Sequence, residues 1–442
     1  MEQGQRENLR VAREPAVLVA CLLPQNHSDP HDPLGELRAL ADAAGALVVD
    51  ELIQNRHRPD PATFIGSGKV QELAQMVAAH GAEVVVFDNE LSPSQLGNIE
   101  QVTNCKVLDR SELILDIFAA RARTHEAKLQ VELAQLEYTY PRLRAMWSHL
   151  ERIVGGAPAG IGTRGPGEQQ LEVDRRIVQR KKTELKRQIA HVQNRKERQV
   201  QTRNKDFFTV GLVGYTNAGK STLFNTLTEP SGGGGAYTDN MLFATLSTRT
   251  RRWDLGGGDT VMLSDTVGFV RDLPHHLVAS FRSTLEEAIH SDLLLIVTDV
   301  SSARARPQLD TVMQTLDEIG AKRQQRLLVL NKVDMLDHNA DILLIQSEFE
   351  DAVPISARTG RGLDGLLELV RREMRGRVQE LRLSVDLTDG RLIHFIESRA
   401  NVISREYDGQ RATFRVRIGS LQLDQLRALG GGLHAVEELD AT

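Results

Sequence analysis

Sulfur and aromatic rings are scarce in this chain. Its 442 residues include two cysteines, Cys21 and Cys105, and aromatic side chains make up only 4%. Two thiols build neither a disulfide framework nor a thiolate metal cluster, so a reducing compartment is the expected home. Long apolar runs are missing too. Leu293-Leu-Leu-Ile-Val297 is strand length, far from the ~20 residues that cross a bilayer. The stretch from Met1 to Glu14 is polar and charged, with no apolar signal core. These absences predict a soluble, cytoplasmic protein with no transmembrane segment, expected to be a monomer. What is present is ordinary for a globular chain, 40% apolar and 26% charged. At this length one core does not suffice, and about three domains are expected.

Charge is unevenly spread. The chain carries −6 overall, yet residues 121–205 hold 19 Lys and Arg against 9 Asp and Glu. A basic segment in an otherwise acidic chain points to a polyanionic partner, nucleic acid above all, although a solvated helical face would account for the charge alone. Leucines 129, 136, 143 and 150 repeat every seven residues, and so do Leu133, Tyr140, Trp147 and Val154. That is the seam of a long helix packed on a partner helix, interrupted by Pro141, which should kink it. Leu171, Val178, Leu185 and Val192 repeat likewise, so the segment predicts an antiparallel helical hairpin. Between them, Val154 to Glu168 is rich in glycine and holds Pro158, Arg164 and Pro166. Such a loop is longer than a helix turn requires, and its small side chains suit close backbone approach to a crowded anionic surface such as folded RNA.

The strongest local signal is Gly214-Tyr215-Thr216-Asn217-Ala218-Gly219-Lys220-Ser221-Thr222, a G-x-x-x-x-G-K-S loop after an apolar run and before a helical pattern. Glycines let successive N–H groups converge on a polyphosphate, and the following helix adds the positive end of its dipole. Lys220 would neutralise the outer phosphates, and the Ser221 hydroxyl would bind Mg2+. Three further segments end apolar strands in the order a guanine site needs. In Asp265-Thr266-Val267-Gly268, Asp265 would hold Mg2+ through water and Gly268 would offer an N–H to a γ-phosphate. In Asn331-Lys332-Val333-Asp334, the Asp334 carboxylate would accept from guanine N1–H and the exocyclic amine, a pair that adenine lacks. Ser356-Ala357 would present an N–H to guanine O6. Together they predict a GTPase domain, because ligands of open α/β sheets bind at the carboxyl ends of the strands.

The whole chain reads as an α/β multidomain protein. Residues 1–110 form an N-terminal α/β domain, 111–205 the helical hairpin with its glycine-rich tip, 206–376 the P-loop GTPase domain and 377–442 a small C-terminal α+β domain. Thr63-Phe-Ile-Gly66-Ser-Gly68-Lys69 mimics a second phosphate loop but lacks the first glycine and the hydroxyl after lysine, so it reads as a helix start.

With these parts in place, the chain resembles the HflX family of translational GTPases over nearly its whole length. The N-terminal likeness rests on Thr63 to Lys69, Phe87-Asp-Asn-Glu-Leu-Ser-Pro-Ser-Gln95 and Arg123 to Leu136. Gly160-Ile-Gly-Thr-Arg-Gly-Pro-Gly-Glu168, Gly214 to Thr222, Phe243-Ala-Thr245-Leu246 and Asp265 to Phe269 continue it. The resemblance implies binding to the large ribosomal subunit and its RNA through the 121–205 hairpin, with the tip directed at the peptidyl-transferase centre. It also implies the splitting of stalled ribosomes, often under heat stress, with GTP hydrolysis to GDP resetting the factor. By the same likeness Thr245 is a switch threonine that completes Mg2+ coordination, and Lys220, Thr245 and Gly268 form the catalytic set. Asn217 resembles the asparagine of potassium-activated GTPases, which makes K+ a candidate helper. Phe269 stands where many GTPases keep a water-orienting glutamine, so a slow intrinsic rate is expected. Two other classes fit parts of the pattern: a GTP-gated RNA-binding or remodelling factor acting on free RNA or assembling subunits, and a scaffold that binds GTP without turnover.

Overall fold

The structure is a computed structural model. It describes residues 14–24, 31–154, 176–193, 195, 207–229, 248–256, 259–271, 289–321, 324–336, 340–349, 351–376, 378–430 and 432–438. Three separate sheets organise them.

The first sheet has the order β2-β1-β3-β4, all parallel: β1 (Pro15–Leu22), β2 (Leu47–Asn55), β3 (Val84–Phe87) and β4 (Lys106–Asp109). Because parallel strands need crossovers, helices cover both faces, and β1 and β3 are apolar on both sides. One face packs α1 (Gly35–Ala44), α4 (Arg110–Arg121) and the start of α5 (His125–Val154) through Leu37, Leu40, Ile114, Phe118 and Val131. The other face packs α2 (Ser67–His80) and α3 (Pro93–Thr103) through Leu73, Val77, Leu96 and Ile99. Ser92 caps α3 in a reciprocal capping box with Gln95. The Thr63–Lys69 stretch does serve as a helix start: α2 begins at Ser67 with Gly66 as its cap.

Helix α5 runs on from this unit across Pro141. A further helix, α6 (176–193), lies along it. Leu129 and Leu133 cluster with Leu185 and Ile189, and Lys181–Glu132, Lys182–Glu137 and Lys186–Glu137 ion pairs flank the contact. Of the sevenfold repeat, Leu129, Leu133 and Leu185 are thus in the seam. Ile189, outside the repeat, joins them because a helical stripe also takes the i+4 position. Tyr138, buried, donates its hydroxyl to Asp109 and pins α5 to the end of β4. The glycine-rich tip, with its Arg164, and the heptad positions Leu143, Trp147, Leu150 and Leu171 lie outside the described residues or side chains.

The second sheet has the order β10-β9-β8-β5-β7-β6. Its strands are β5 (Phe208–Gly214), β6 (Arg249–Gly256), β7 (Asp259–Asp265), β8 (Leu293–Asp299), β9 (Gln325–Asn331) and β10 (Val353–Pro354), with only β6 antiparallel. Helices α7 (Lys220–Thr228) and α10 (Leu363–Arg375) cover one face, and α8 (Ala305–Glu318) and α9 (Ala340–Glu348) the other. The third sheet, order β12-β13-β11-β14, is antiparallel: β11 (Val378–Asp386), β12 (Asn401–Asp408), β13 (Arg411–Gly419) and β14 (Leu433–Glu438). Helices α11 (Gly390–Arg399) and α12 (Ser420–Ala428) supply Leu392, Ile396, Leu423 and Leu426 to its single core. Its bare face alternates charge, with Glu380 bridging Arg415 and Arg417.

Leu295 sits at the middle of β8 with no exposed surface. Leu295→Ala should lower unfolding free energy by about 2–5 kcal/mol, read from the denaturant midpoint. A loss below about 1 kcal/mol would contradict the tight packing described.

Candidate nucleotide-binding site

Parallel pairing brings the carboxyl ends of β5, β7, β8 and β9 to one edge. Leu212 pairs with Asp265, Gly214 with Val297, and Asp299 with Asn331. The chain turns there at Gly214, whose φ is 153°, and a Cβ on it would meet the Val297 carbonyl oxygen at 2.2 Å. Gly219, with φ 94°, is the N-cap of α7, and a Cβ on it would lie 2.2 Å from Asn331 Nδ2. Both positions therefore need glycine for conformation and for space. Asn217 also has positive φ, 62°, a conformation asparagine tolerates better than most residues.

Lys220 is buried under this turn and donates from Nζ to the Gly214 and Tyr215 carbonyl oxygens at 3.0 and 2.7 Å. Burial pushes its ammonium down to about 8, opposed by the charge of Asp265. Ser221 Oγ donates to Asp265 Oδ2 at 2.8 Å. A hydroxyl and a carboxylate so placed are hard oxygen donors and fit a Mg2+ ion. Thr266 is turned away and donates to the Leu212 carbonyl. Thr222 lies in the first turn of α7.

After β7 the chain folds back over the loop. Phe269 N–H donates to Gly214 O at 3.1 Å, and Thr216 N–H donates to Phe269 O at 2.8 Å, a short parallel bridge. This puts Gly268 against Lys220, since a Cβ there would lie 2.9 Å from Nζ and 2.8 Å from Thr216 Cγ2. The Phe269 ring is buried with Val213, Tyr215, Ile296 and Val300, and Val267 packs on the N-terminal unit.

Asn331 is the tether of the base end. Its Nδ2 donates to Ala218 O at 2.7 Å, and its Oδ1 accepts from Ala357 N at 2.9 Å. The Ala357 N–H, expected to face guanine O6, is thus engaged by Asn331 here. Lys332, at φ 67°, pairs with Asp299 at 2.6 Å, while Asp334 is exposed on a 3-10 turn. Ser356 is fully buried, and its Oγ accepts from Thr359 N.

The phosphate-loop residues, Asp265 to Gly268, Asn331 to Asp334 and Ser356–Ala357 therefore meet at one sheet edge. Thr245 lies outside the described residues. Sequence reasoning missed Asp299, although a carboxylate ending the Leu293–Val297 strand was a legible signal. It also missed Glu36, Asp88, Arg110 and Arg271, which form a buried ionic cluster around the Tyr215 hydroxyl. Their partners are far apart in sequence, and although Asp88 lies in the Phe87–Gln95 signature, no local pattern announces the contact.

A phosphate loop between strand and helix, with D-x-x-G and N-K-x-D segments at the same edge of a mostly parallel sheet, defines a P-loop GTPase. Comparison with known proteins agrees and goes further. Residues 31–119 match the family "GTP-binding GTPase N-terminal", 121–203 match "GTP-binding GTPase Middle Region", and 209–332 match "50S ribosome-binding GTPase". The chain is 42% identical over 395 residues to GTPase HflX of Lacrimispora saccharolytica, covering 89% of this chain and 91% of that protein. It is 44% identical over 383 residues to GTPase HflX of Escherichia coli, covering 86% and 88%. A crystal structure of a GTP-binding protein from Sulfolobus solfataricus with GDP aligns with 82% of this chain and 98% of that one, at 24% identity and a TM-score of 0.44. The chain belongs to the HflX family of GTPases and is a GTP hydrolase.

Because a Cβ at position 219 collides with Asn331, Gly219→Ala should disturb phosphate loop and base tether together. Fluorescent GDP titration should show affinity reduced by at least about tenfold, a cost of roughly 1.4 kcal/mol. Unaltered affinity would mean the crowding is relieved without cost.

Proposed function

We propose that this chain is a GTP-gated factor for the large ribosomal subunit that splits stalled or idle ribosomes, with hydrolysis resetting it. In this reading the Gly214–Thr222 loop cradles the phosphates, Lys220 neutralises them, and Gly268 N–H addresses the γ-phosphate. Ser221 and Asp265, with Thr245, hold Mg2+, which supplies charge neutralisation across the phosphates when bound. Asp334 selects guanine, Asn331 holds loop and base strand together, and Lys332 packs beside the base. The basic segment 121–205, an antiparallel hairpin with a glycine-rich tip, provides the RNA-facing arm.

The observation that carries the reading is the burial of Phe269 beside a phosphate loop in which Lys220, Ser221 and Asp265 are gathered. Its side chain is 3% exposed and cannot orient an attacking water. A site built to bind GTP yet lacking that group suits a switch whose hydrolysis waits for a partner. The partner is argued from charge: 19 cationic against 9 anionic residues in one segment favour folded RNA, and the family matched by residues 209–332 is described as "50S ribosome-binding GTPase".

Three outcomes follow. Sedimentation of ribosomes with the protein and a non-hydrolysable GTP analogue should give free subunits, as GTP does; intact ribosomes in both cases would sink the splitting function. Initial GTPase rates should rise at least about tenfold with purified large subunits, and should be higher in K+ than in Na+ if Asn217 assists a potassium ion. No response to large subunits, together with tight binding to naked RNA, would instead favour a remodelling factor. Asp334→Asn should weaken GTP binding and shift preference toward xanthine nucleotide, since an amide presents a donor where guanine needs two acceptors. Unchanged GTP preference would refute the base assignment.

A further inference from the structure

Two carboxylates of the N-terminal unit reach the segment that follows D-x-x-G. Arg271, three residues after Gly268, donates from Nη2 to Asp88 Oδ2 at 2.8 Å. Arg110 bridges the carboxylates, contacting Asp88 at 2.6 Å and Glu36 at 2.7 Å, and also donates to the Arg271 carbonyl at 3.2 Å. Glu36 accepts the Tyr215 hydroxyl at 2.6 Å, and that same oxygen accepts the Arg271 N–H at 2.7 Å. Side-chain exposure is 5% for Asp88, 3% for Arg110 and 8% for Arg271, so water screens these contacts little.

Apolar packing runs alongside. Val267 and Val270 belong to the cluster formed by Leu37, Ile114 and Phe118 of the N-terminal unit. Gly268 and Phe269 are therefore flanked on both sides by residues anchored in that unit. Phe269 is also held on the phosphate loop by its two backbone bonds. A backbone segment fixed at both ends and in the middle keeps Gly268 beside Lys220, and anything that loosens the anchors frees it.

We propose that Glu36, Asp88 and Arg110 act as positioning residues that hold Gly268 in place for the γ-phosphate, making the N-terminal unit part of the discrimination between GTP and GDP. The inference rests on the reading of Gly268 as the γ-phosphate contact. None of the three belongs to the phosphate loop, to Asp265–Gly268 or to Asn331–Asp334. GDP lacks the phosphate that Gly268 addresses, so loosening the segment leaves its contacts with the loop and base strand in place. A cluster that merely glued two units together would lower the melting temperature and leave the ratio of GTP to GDP affinity untouched.

The test uses Glu36→Gln and Asp88→Asn in the full chain. Each keeps the side chain's size and removes its charge. Affinities for GDP and for a non-hydrolysable GTP analogue are measured by fluorescence titration, beside thermal melts and steady-state GTPase rates. The expected result is a fall of about five- to twentyfold in analogue affinity with GDP affinity within about twofold, and a raised KM for GTP. If either variant fails to fold, Arg271→Lys, which keeps charge but loses the two-pronged guanidinium contact, carries the same readout. Equal loss for both nucleotides, or an unchanged ratio in the folded variants, overturns the proposal whatever the melting temperature does. Gly268→Ala separates the layers: if it keeps full preference for the GTP analogue, the γ-phosphate reading itself falls; if it loses that preference while the acid variants keep theirs, only the cluster's role falls.

Discussion

The buried meeting of Glu36, Asp88, Arg110 and Arg271 is the constraint on which the arrangement of the phosphate site hangs. Charges are costly to remove from water, and only close pairing offsets that cost. Burial alone would raise the Glu36 carboxyl, but Arg110 beside it, the Tyr215 hydroxyl and Arg271 hold it below its ordinary range. Burial likewise lowers Arg110, and the charges of Glu36 and Asp88 more than restore it. Tyr215 is driven the other way, by burial first and then by the neighbouring Glu36 charge, so its hydroxyl stays protonated and donates. Leaving one such partner unmatched typically costs about 3–5 kcal/mol. The cluster is therefore a poor lubricant between two units and a good register mark. It specifies where Tyr215, and with it the first turn of the phosphate loop, must sit.

From that mark the order of the nucleotide edge follows. Tyr215 fixes one end of the loop, and its carbonyl, with that of Gly214, receives the Lys220 ammonium. Asn331 fixes the other end through Ala218. Between them only glycine fits at the two tight points, 214 and 219, because a carbonyl and an amide occupy the space a side chain would need. A loop held at both ends keeps its backbone in one shape, which a phosphate-binding turn requires. Burial lowers the Lys220 ammonium, and the negative charge of a phosphate beside it would oppose that shift as Asp265 does.

Much of this was legible in the sequence, and the reasons are local. Gly214–Thr222, Asp265–Gly268 and Asn331–Asp334 work through backbone turns and side chains a few residues apart, so their chemistry shows in short words. The parallel strands were apolar runs, and the start of α2 was marked by Gly66. What escaped depended on distance in sequence. The boundary drawn at residue 110 put α4 with the hairpin, because only tertiary packing shows that its Leu113, Ile114, Ile117 and Phe118 face the first sheet. Strands β6, β12 and β14 carry charged or polar residues on their open sides and show no clean alternation. Glu36, Asp88 and Arg271 were ordinary surface charges until the fold brought them together across more than 180 residues.

Position 269 links the anchoring of this segment to its chemistry. A glutamine there could orient water only by leaving the cluster of Val213, Ile296 and Val300, since its amide would otherwise be buried among apolar carbons. The phenyl ring does the opposite: it fills that space and holds its own backbone on the phosphate loop. The residue is thus suited to anchoring the segment after Gly268, at the expense of catalysis by the segment itself. A GTP hydrolase built this way separates two tasks that many GTPases combine. On our reading, sensing the γ-phosphate belongs to a backbone held by Val267 before Gly268 and by Phe269 and the ionic cluster at Arg271 after it. Supplying the group that aligns water is left, on our reading, to whatever the basic segment docks against, so the nucleotide is spent only after the partner has been found.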